Sequence, residues 1–251
     1  MVYAARDGDL ETVKTMLARG VSVNAKDDTN GYTALIWGAC NCHLKVVQYL
    51  VEDAKANVNA MNKYGWTALI HGARNGHSEV VQHLVEAKAD VNYKDDSGMT
   101  ALIFGLSSCN LEVVKYLIED AKSNFNAQAN IGPIGQTALM YGAASGDLKV
   151  VQYLVDAKAN VNAKDNDGQT ALIHAARSYQ ILDAYKLVLY LIDEANANVN
   201  AKDNSGKTAL VHAASIGSGL VVDYLKATIQ RTTSKLQREA THINPPSSGL
   251  V

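Results

Sequence analysis

A chain of 251 residues with 47% hydrophobic side chains can bury a sizeable core, and its 23 basic and 25 acidic residues leave a formal charge of only −2. That even balance gives no electrostatic footprint for nucleic acid or for an anionic membrane surface. Every apolar run falls short of the ~18 residues a membrane span needs. The three cysteines make no disulfide framework, and residues 1–7 lack the basic region and apolar stretch of a secretion signal. A monomeric cytoplasmic protein is expected, with a secreted effector as the other reading.

The triplet Thr-Ala-Leu begins at residues 33, 67, 100, 137, 170 and 208, at intervals of 34, 33, 37, 33 and 38. A period near 33 means one supersecondary unit stacked repeatedly, so the chain is one array and not several globular domains. Residues 1–30 form a shortened first repeat in which Ala4-Ala5-Arg6-Asp7-Gly8 aligns with Gly38-Ala39-Cys40-Asn41-Cys42. An atypical end repeat is what capping requires, because its outer face meets water; truncation is the other explanation of its shortness.

The later repeats run approximately 31–64, 65–97, 98–134, 135–167, 168–205 and 206–230. In each, a threonine stands where its hydroxyl can cap a helix. A first helix follows, with an apolar stripe such as Leu69, Ile70 and Ala73. A Gly-centred turn (Asn75-Gly76-His77) leads to a second helix with Val80, Val81, Leu84 and Val85 on one face. A polar, turn-rich segment such as Ala89-Asp90-Val91-Asn92-Tyr93-Lys94-Asp95-Asp96 reads as a protruding hairpin-like loop.

Two inserts explain the long intervals. One lies around Asp120 and Ile131-Gly132-Pro133-Ile134, at a loop tip. The other lies around Tyr179-Gln180-Ile181-Leu182-Asp183-Ala184, between the two helices of repeat six. Residues 231–251 read as a polar tail, mobile at Pro245-Pro246-Ser247-Ser248-Gly249.

These units resemble the ankyrin repeat, whose signature is Thr-Pro-Leu-His-x-Ala. The likeness spans residues 1 to about 230 and includes loop segments such as Val199-Asn200-Ala201-Lys202-Asp203. It implies an all-α solenoid of stacked helix-turn-helix units with protruding hairpin-like loops. Here alanine replaces the family proline, and Ile36, Ile70, Ile103, Met140, Ile173 and Val211 replace its histidine. Lys55, Lys88, Lys122 and Lys158 stand where the family usually has glycine after the second helix. A left-handed conformation there costs a non-glycine roughly 1 kcal/mol, so an altered loop geometry is expected.

Core positions repeat because packing repeats, so function is sought where side chains vary. Residue 71 is two steps from Leu69, about 200° around the helix, and shares a face with residues 74 and 75. That position reads Tyr3, Trp37, His71, Phe104, Tyr141, His174 and His212, accompanied by Arg74 and Arg177. The residue before each threonine also varies, and includes Tyr32, Trp66 and Met99. The resemblance implies that such positions line a concave groove that grips partners. The candidate partner-binding residues are thus Tyr32, Trp37, Trp66, His71, Arg74, Met99, Phe104, Tyr141, His174 and Arg177, apolar towards the N-terminal half and more polar beyond it. Rings that merely bridge adjacent repeats are the competing explanation. A second row on the other helix (Tyr49, His83, Tyr116, Tyr153, Tyr190, Tyr224) is nearly uniform, which favours packing.

Catalysis finds no foothold. Cys40-Asn41-Cys42-His43 lacks the second ligand pair of a zinc site, Gly217-Ser218-Gly219 opens no phosphate loop, and Asp27-Asp28 and Asp95-Asp96 read as solvated turn residues. No cofactor and no metal are expected. The function expected is a non-enzymatic module that binds a protein or peptide; the alternative makes the array the targeting or regulatory arm of a larger enzyme or of a host-interacting effector.

Overall fold

The computed structural model describes residues 1–121, 134–179 and 181–243. Among them seven helices form an inner layer: α1 (Val2–Arg6), α3 (Ala34–Cys40), α5 (Ala68–Asn75), α7 (Ala101–Ser107), α9 (Ala138–Ser145), α11 (Ala171–Ala176) and α13 (Ala209–Ser215). Each is followed by an outer helix: α2 (Leu10–Ala18), α4 (Leu44–Glu52), α6 (Ser78–Glu86), α8 (Leu111–Glu119), α10 (Leu148–Asp156), α12 (Ile181–Asp193) and α14 (Gly219–Ile243). Each helix packs on its pair mate and on the equivalent helix of the neighbouring repeat. Among the described residues, β-pairing is limited to isolated bridges such as Lys26 with Thr33 and Met61 with Thr67. No helix among them is long and apolar enough to cross a membrane.

The threonines cap as their position demands. The hydroxyls of Thr33, Thr67, Thr100, Thr137 and Thr170 accept from the amide three residues on, whereas Thr208 makes no such bond. Behind them Leu69, Ile70 and Ala73 are fully buried, as are Val80, Val81 and Leu84 on the facing helix. Gly72 lets these two helices touch, since a Cβ there would stand 3.2 Å from Cγ2 of Val81. Burying a Leu or Val side chain stabilises by about 1.5–3 kcal/mol, and the same set recurs in every interior repeat.

Polar side chains then sew one repeat to the next. The inner helices end in carbonyls with no partner of their own. Asn75 Nδ2 donates to Cys40 O at 2.9 Å, His77 Nε2 bonds the same oxygen at 3.0 Å, and Asn110 Nδ2 reaches Ala73 O and Arg74 O. His43, part of the zinc-like string, is used the same way on Arg6 O. In the loops Asn24 accepts from Asn57 N, Asn59 from Asp90 N, and Asn162 from Asn198 N.

Several sequence expectations are corrected. Lys55, Lys88 and Lys158 adopt the left-handed conformation that favours glycine, at φ 57°, 68° and 67°, so these residues carry its strain; Lys122 lies outside the described residues. The insert of repeat six is not a loop. It lengthens α12 to 13 residues against 9 in α10, with Ala184 buried and Tyr179 and Leu182 exposed. The polar stretch after residue 230 continues α14 to Ile243, whereas Pro245-Pro246-Ser247-Ser248-Gly249, Gln180 and Ile131-Gly132-Pro133 lie outside the described residues.

Candidate partner-binding surface

Five of the loops among the described residues are each folded around one acidic or amide side chain. Asp95 lies five residues before the capping Thr100, and its Oδ1 accepts from Ser97 N at 2.9 Å and Met99 N at 2.8 Å. Asp27, Asn62, Asp165 and Asp203 do the same for their own loops. Asp27, Asp95 and Asp165 are buried to within 8%, so of the pairs read as solvated turn residues only Asp28 and Asp96 are exposed. Burial opposes the charge of Asp27, but bonds from Asn30, Trp37, Tyr32 and Gly31 together outweigh it and lower its pKa.

The second oxygen of these acids reaches into the inner layer. Asp27 Oδ2 accepts from Trp37 Nε1 at 3.0 Å and Asp95 Oδ2 from Trp66 Nε1 at 2.8 Å. Asp165 Oδ2 meets His174 Nε2 at 3.0 Å, and Asp203 Oδ2 meets His212 Nε2 at 2.8 Å. In three of these pairs the acid precedes the ring by nine or ten residues, a spacing legible in the sequence, whereas Asp95 takes its donor from Trp66, 29 residues earlier in the preceding repeat.

Through these anchors the rings form one continuous row. Tyr32 lies 4.6 Å from Trp37 and 5.0 Å from His71, and Trp66 lies 5.2 Å from His71 and 4.7 Å from Phe104, centroid to centroid. Such tilted and edge-on contacts are the favoured aromatic geometries. Five of the ten candidate residues, from three consecutive repeats, are thereby brought together. Three of them, Tyr32, Trp66 and Phe104, line an open cleft of about 560 Å³ with Met99 and Arg74 and with Lys63, Tyr64, Asp95, Asp96 and Ser97.

His71 is the exception to the exposed face. Only 3% of it is accessible, because Tyr32 and Trp66, the residues before the two threonines, close over it. It is the wall behind the surface and not part of its contact area. Burial first, and the nearby Arg74 charge second, push its pKa down from 6.5 to about 4.

The C-terminal half is built differently. Tyr141 is half-buried, with its hydroxyl 3.7 Å from Met99 Sδ. His174 and Arg177 line a second cleft of about 450 Å³ with Ala144, Ser145, Ser178 and Tyr179, and Arg177 donates to Gln169 Oε1 at 2.7 Å. Burial lowers the pKa of His174 despite the carboxylate of Asp165. The outer row bridges repeats, with Tyr153 Oη donating to Glu119 at 2.9 Å and Tyr224 Oη to Asp193 at 2.6 Å. Among the described residues no group of three or more His, Cys, Asp or Glu side chains could hold a metal ion.

A family model described as ankyrin repeats (3 copies) matches residues 1–95, 55–129, 84–165 and 139–235. A search of the curated proteins finds no match.

Proposed function

The chain belongs to the ankyrin-repeat family, and from that premise we propose that it is a protein-interaction module whose recognition surface is the inner-helix face of repeats two to four. The observation that carries this reading is the row Trp37–Tyr32–His71–Trp66–Phe104. Stacking the array needs only the buried aliphatic stripe. Tyr32, Trp37, Trp66 and Phe104, held partly exposed beside that stripe with each indole pinned by a buried aspartate, are rigid apolar anchors of the kind that dominate binding hot spots. A surface preset by the loops loses little conformational freedom when it binds. All of these rings come from one chain, so a single copy suffices as the binding unit.

A photo-crosslinking amino acid placed at Met99 on the inner face, and in a separate protein at Lys115 on the outer helix, tests the reading. Capture of the same protein partner through position 99, competed away by unlabelled chain and missing from position 115, supports it. Capture through position 115 alone contradicts it.

A further inference from the structure

We propose that the cleft over Trp66 takes a short peptide segment in which a carboxylate, from Asp or Glu, lies next to a bulky apolar side chain. This rests on the reading of the inner face as the recognition surface and adds the chemistry of its occupant. The guanidinium carbon of Arg74 sits 4.8 Å from the centre of the Trp66 ring. Among the described residues no carboxylate pairs with it, in contrast to Arg6, which is bound to Asp7 at 2.9 Å. Of the two acids at the cleft, Asp95 is already committed and Asp96 is exposed and not paired with Arg74. Both oxygens of Asp95 are engaged by Ser97 N, Met99 N and Trp66 Nε1. Asp96 lies beside Gly65 of the preceding loop, where a Cβ would stand 2.9 Å from its Oδ1. Lys63 donates to Asp28 O and Thr29 O.

A guanidinium lying on an indole keeps its planar fork of N–H donors directed outward around the edge. That edge matches a carboxylate bidentately while the face stays on the ring. Stacking also fixes a long side chain before a ligand arrives, which lowers the entropy cost of binding. A cationic ligand is disfavoured at the same place, because the Trp66 face it would use already carries a cation. Phe104, Met99 and Tyr32 supply the apolar wall beside it, which accounts for the second half of the motif.

Selection of a random twelve-residue peptide library displayed on phage, with the full chain as bait, tests this. Enriched peptides are expected to carry Asp or Glu within two positions of Phe, Trp, Leu or Met. For a synthetic enriched peptide, Arg74→Gln is expected to weaken binding tenfold or more. Replacing the peptide's acid by its amide should do the same, and the two changes together should cost little more than either alone. Arg74→Lys, which keeps the charge and loses the fork, is expected to fall between, and it serves as the second variant should Arg74→Gln unfold. Enrichment of basic peptides, binding indifferent to Arg74, or no enrichment overturns the inference. Indifference to Arg74 with loss of binding in Met99→Ala and Phe104→Ala leaves the surface standing without this chemistry. Indifference to all three substitutions removes the surface as well.

Discussion

His71 makes stability depend on pH in a way that can be calculated from its surroundings. It is 3% exposed beneath Tyr32 and Trp66, and burial, then Arg74, lower its pKa from 6.5 to about 4. Below pH 6.5 the unfolded chain therefore takes up a proton at this residue while the folded chain does not. Stability is lost as pH falls from about 6.5 and levels off only below about 4. At about 1.4 kcal/mol per pKa unit, the loss amounts to about 2 kcal/mol by pH 5. The comparison is with His71→Phe, since Phe104 shows that this ring fits the equivalent position. Urea unfolding of both proteins from pH 7.5 to 5 should give a difference that shifts against the native chain by about 2 kcal/mol. All other titrating groups are common to the two proteins and cancel. A flat difference curve, or an NMR titration of the His71 ring with a midpoint at or above 6, would refute the placement of this side chain.

Other substitutions probe the supports of the surface. Trp66→Phe leaves a buried Asp95 oxygen without its N–H donor, and loss of a bond to a charged group costs about 1.5–3 kcal/mol, measurable by urea unfolding at pH 7. Lys88→Gly relieves a left-handed residue at φ 68° and should raise stability by about 1 kcal/mol; a drop in melting temperature would contradict the strain. Asn110→Ala strips the C-terminal carbonyls of Ala73 and Arg74 of their donor, so it should cost about 1 kcal/mol and speed hydrogen exchange in α5 and α8 before α2.

The fold was legible because periodicity and packing share one cause. Thr-Ala-Leu recurs where a cap must be followed by a small and then a large buried residue, and Thr33, Thr67, Thr100, Thr137 and Thr170 occupy those places. The aromatic row was legible as far as position and identity allow: Trp66 meets Phe104 directly, and Trp37 is joined to them through Tyr32 and His71. What escaped was what depends on neighbours in space. Helical angle alone sends residue 71 away from its own core; it cannot show that Tyr32 and Trp66 fold over it from two flanking loops. Asp27 and Asp95 look like surface turn residues until the indole N–H groups that claim them are seen. The extra residues at 181–184 looked like loop because inserts usually are, yet with Ala184 facing the core they add a turn to α12.

The most direct test of the recognition surface is chemical-shift mapping by NMR with a peptide recovered from the display selection. The expected result is a set of saturable shifts in residues of α3, α5 and α7 and the loops before them, with Met99, Phe104 and the two indole N–H signals of Trp37 and Trp66 among the largest. Shifts centred instead on α4, α6 and α8, with both indole signals unmoved, would show that the aromatic row is repeat-to-repeat packing and that recognition lies on the other face.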